Sequence, residues 1–64
     1  MGLGRFILEI QRIKDIPQLV ELKEQIKEQV MDKHLDWQHR MLLYGKVQQI
    51  NLRIDQLEYE KILS

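Results

Sequence analysis

The sequence predicts an all-α protein: a bent antiparallel helical hairpin that assembles into a dimeric helical bundle. Three observations predict it. Helix formers dominate the 64 residues, with three glycines and one proline, so little interrupts a helix. Apolar residues recur at steps of three and four along the chain, which is the period of a helix face. The second half also carries two such faces on one helix, where a helix at the edge of a small protein needs one.

The first helix is expected at about 3–14. Leu3, Phe6, Ile7, Ile10 and Ile13 share one side of it. A strand is the competing reading, because Phe6, Leu8 and Ile10 also alternate, but a lone strand would find no partner in this chain. Asp15-Ile16-Pro17 ends the segment. Asp15 suits an N-cap, and proline suits a first helical turn. The second helix, at about 16–31, gathers Ile16, Leu19, Leu22, Ile26 and Val30 on one face. A straight helix through Pro17 would set that face nearly opposite the first one. Pro17 also lacks the N–H that would bond back to Ile13. The chain is therefore expected to redirect itself there.

Residues 32–36 form a weaker break. They contain neither glycine nor proline, yet they offer two candidate caps, Asp32 and Asp36. The alternative is one helix from residue 16 onward, about 70 Å long, in a coiled coil. The third helix is expected at about 36–63. Gly45 reads as interior to it, since both apolar stripes keep their phase across it despite a cost near ~1 kcal/mol. With no side chain there, another helix can come close.

Leu43, Val47, Ile50, Ile54 and Leu57 make the aliphatic stripe of the third helix. Together with Phe6, Ile10 and Ile13 they are assigned to an oligomer core. Trp37, Met41, Tyr44, Leu52 and Tyr59, followed by Ile62, make a second face, interrupted by Gln48 and Asp55. It lies roughly 140° away around the helix and is assigned to interaction, because Trp, Tyr and Met are enriched at interfaces. A chain of this length buries only about 60% of its unfolded surface. With no cysteine, disulfides and thiolate metal sites are excluded. Association of subunits is the support that remains.

Ten Lys and Arg balance ten Asp and Glu, and no basic arm stands out. That balance argues against the electrostatic footprint of a nucleic-acid binder. No apolar run reaches membrane-spanning length. Glu9 and Gln11 break any secretory signal. Gly2 has the place of a myristoylation glycine, but Phe6 stands where that signal carries Ser or Thr. The absence of cysteine fits the cytoplasm.

The chemistry of catalysis is thinly represented. No Ser or Thr precedes Ser64, and no glycine-rich phosphate loop exists. Asp36 and His39 are spaced like the Glu-x-x-His of di-iron helical proteins, and Glu24 and Glu28 are the other carboxylates within reach of such a scheme. Asp is too short for that role, however, and those glutamates flank the polar side of their own helix. Solvated residues beside a turn are the simpler reading. His34 and His39 do not share a helix face. Lys23, Glu24, Lys27 and Glu28 read as a solvated charged face. No catalytic, cofactor or metal residue is assigned.

The expected function is that of a small, non-enzymatic, homo-oligomeric adaptor or regulator that binds another protein. The alternative is a helical dimer that binds RNA or DNA with a composite surface. In size and layout the predicted hairpin resembles the helical-hairpin dimers of Rop-type plasmid regulators. The likeness is architectural, rests on no shared motif and carries over no RNA-contacting residue. Charge balance favours the protein partner.

Overall fold

The computed structural model describes residues 3–63; Gly2, of the acylation reading, lies outside them. Three helices follow one another: α1, Leu3–Gln11; α2, Ile16–Val30; and α3, Trp37–Leu63. No strand occurs among the described residues. The chain is elongated, with Cα extents of 45 × 21 × 13 Å.

Helix α1 stops at Gln11, three residues short of the expected end. The reversal into α2 uses those residues. Two tight bonds, Arg12 N–H to Glu9 O and Ile13 N–H to Ile10 O, close its last turn. Asp15 then takes extended dihedrals and occupies the N-cap of α2, with Pro17 in the first turn. Its side chain makes no capping bond; only its carbonyl accepts, from Leu19 N–H at 3.2 Å.

The turn at 32–36 is a real break. Helix α2 ends through Met31 N–H to Glu28 O and Asp32 N–H to Gln29 O. These i→i−3 bonds tighten the last turn without glycine. The Asp32 carboxylate then accepts His34 N–H, and Leu35 tucks against the core. At Asp36 the side chain accepts His39 N–H at 2.8 Å, and its carbonyl accepts Arg40 N–H. That is an N-cap satisfying donors the helix cannot satisfy itself.

Helices α2 and α3 form the antiparallel hairpin. Lys23 reaches Asn51 midway along it, and Ile16 and Pro17 share a cleft with Leu57 and Glu60 at one end. Helix α1 does not prolong the first arm of the hairpin as a bent rod would. It doubles back and runs in the same direction as α3. Leu3 lies against Gly45, Phe6 beneath Lys46, and Gln11 and Ile13 beside Arg53. The helical hairpin therefore carries a third, short helix on its long one. As expected, α3 runs unbroken through Gly45, and the helix that approaches there is α1.

The core consists of Ile10, Leu19, Ile26, Leu43, Ile50, Ile54 and Leu57, with no buried polar side chain among the described residues. Phe6, Ile13, Ile16, Leu22, Val30, Leu35 and Val47 pack around it half-buried. Leu19 and Ile50 are completely covered. The aliphatic stripe of α3, read above as an oligomer core, is thus already covered within one chain, by α1 and α2.

Candidate interaction surface

With one stripe of α3 turned inward, geometry fixes what faces out. Residues about 140° away around a helix cannot touch the same neighbours. Trp37, Met41, Tyr44, Leu52, Tyr59 and Ile62 keep between 50% and 80% of their surface exposed. Gln48 and Asp55 lie on the same face and are exposed as well. The structure therefore brings the five assigned second-face residues together along one side of α3. Among the described residues, exposed large apolar side chains outnumber buried ones. A single chain of this kind leaves an apolar stripe, interrupted at Gln48 and Asp55, facing water.

Four basic residues take roles the sequence did not announce. Arg53, half-buried, donates to Gln11 O at the end of α1, to Ile13 O just beyond it and to Gln56 Oε1. It closes the C-terminus of α1, which has no basic residue in its last turn and no glycine behind it. Unsatisfied terminal carbonyls on a short helix are the signal that could have pointed to a donor. Arg40 donates to the Asp32 carbonyl and braces the turn. Lys23 leaves its expected solvated face to meet Asn51, while Lys27 and Glu24 keep the i,i+3 pairing at 4.0 Å. Beside α1, as Arg53 is, the Lys46 ammonium lies 5.2 Å from the Phe6 ring centre, a cation–π distance.

Asp36 and His39 meet at 2.7 Å, Oδ1 to Nδ1, with both side chains well exposed. The His39 backbone N–H holds the Asp36 carboxyl below its usual range, helped by the hydrogen bond and charge of the His39 ring. This pair is a helix cap. Glu24 and Glu28 do not join it: among the described residues no group of three or more His, Cys, Asp and Glu side chains is gathered to hold a metal. The concavities are open clefts of mixed lining, such as one of about 470 Å³ between Lys14, Pro17, Leu57 and Glu60. Among the described residues no helix is long and apolar enough to cross a membrane.

No family model, curated protein or solved structure matches the chain. The outward face of α3 is the feature on which a functional reading rests.

Proposed function

We propose that this chain is a small, non-enzymatic, self-associating helical protein of the cytoplasm that serves as a protein-binding adaptor or regulator. The outward apolar face of α3 carries this reading. A core of seven buried side chains among the described residues is small for a lone domain, and burying more apolar surface is the available route to stability. Tyr44 and Leu52, midway along α3, suit the oligomer contact. Trp37 starts α3 beside the polar turn and remains 72% exposed; it suits the partner protein.

Sedimentation and thermal melts over a hundredfold range of concentration test the association. The expected result is a mass above 7.8 kDa and a melting temperature that rises with concentration. A monomeric mass with a concentration-independent melt overturns the reading. Trp37 emission is expected to be solvent-like without a partner and to shift to the blue when one binds.

A further inference from the structure

Resting on the reading that α3 associates through its outward face, we infer that its occupant is a second copy of this chain, with the two α3 helices packed antiparallel about a two-fold axis level with Ile50.

The charges on α3 are sorted by position. Residues 37–54 include Arg40, Lys46 and Arg53 and no carboxylate. Residues 55–63 include Asp55, Glu58 and Glu60 against Lys61. Parallel packing stacks like on like at both ends. Lys46 and Arg53 turn toward α1, and Arg40 lies beside the outward face; antiparallel packing sets Arg40 of one copy at the acidic end of the other, and it also opposes the two helix dipoles.

The apolar register agrees. A two-fold level with Ile50 places Met41 of one copy opposite Tyr59 of the other. Leu52 then lies beside the axis. The interruptions in the stripe also find places. Asp55 comes opposite Tyr44, whose phenol can donate to the carboxylate. Arg40 and Glu58 share a flank of α3 at matching levels, and a two-fold perpendicular to the helices brings equal flanks together. Arg40 spends one of its five donors on the Asp32 carbonyl.

The absence of cysteine allows a direct test on the full chain. Met41→Cys and Tyr59→Cys, both at exposed positions, are prepared separately, checked for helicity by circular dichroism, and oxidised with glutathione disulfide alone and mixed. Across the two-fold, Met41 lies about 27 Å from its own copy at 1.5 Å per residue, far beyond disulfide reach. The expected result is a covalent dimer in the mixture, joining one variant to the other, and none in either sample alone. A Met41→Cys dimer formed alone shows parallel packing and overturns this geometry while leaving self-association standing. A monomeric mass for the unsubstituted chain overturns both. Leu52→Glu supplies a second measurement: a helical monomer is expected, and a dimer of unchanged mass places the interface elsewhere and overturns the inference.

Discussion

The Arg53 guanidinium is planar and forked, so it can serve the Gln11 carbonyl of α1, the Ile13 carbonyl just beyond it and the Gln56 side chain at once. Arg53→Ala leaves those carbonyls to water and loosens α1. The expected loss is about 1.5–3 kcal/mol, the range for a hydrogen bond to a charged group, read from the urea midpoint. Arg53→Lys is expected to recover only part of it, because an ammonium cannot reproduce the fork. Asp36 acts at the other end of the molecule. Its carboxyl titrates below the ordinary value of 3.8 because His39 N–H and the His39 ring favour the charged form. A depressed folded value means its stabilisation is complete above that ordinary range. It is lost as pH falls through the lower, folded value. In hydrogen exchange, the His39 amide of the native chain should be better protected than in Asp36→Asn at neutral pH. The advantage should vanish in strong acid.

At the scale of elements, Gly45 measures how closely α1 lies on α3. A Cβ there would stand 3.0 Å from Leu3 Cδ1, the far end of a flexible side chain on the first residue of α1. Leu3 can turn aside for a methyl group. Alanine also removes a helix-interior glycine, worth up to about 1 kcal/mol. Gly45→Ala is therefore expected to be neutral or stabilising in a thermal melt. Gly45→Leu is expected to lift α1 and lower the melting temperature. The helices themselves were legible from apolar spacing: the stripe from Leu43 to Leu57 and the face with Leu19 and Ile26 are the buried ones. The punctuation at Pro17 was legible too. The direction of α1 was not. Periodicity says which side of a helix is buried but nothing about which way a neighbour runs. The residue that pins α1, Arg53, lies forty residues or more from the carbonyls it meets.

For the whole molecule, equal numbers of acidic and basic side chains place the isoelectric point near 6.7. Net repulsion between molecules is then least near neutrality. Solubility, measured across pH 5 to 9, is expected to pass through a minimum there. The minimum should be shallower for Leu52→Glu, which adds charge to the apolar face. The exposure of that face was legible in outline, since two stripes so far apart on one helix cannot both face the same core. Which neighbour covers which stripe was not, because a stripe reads alike whether its partner belongs to the same chain or to another. The reversal at residues 12–15 has one more consequence. Helix α1 has nine residues, too few to hold its shape in water alone, and it is fastened by a few contacts along α3. It is expected to act as a latch: its amides should exchange with solvent before those of α2 and α3, through an opening that leaves the hairpin intact. A released latch fits the vacated groove of a neighbour as well as its own, so slow mixing of differently labelled molecules at high concentration should yield swapped pairs joined through exchanged N-terminal arms.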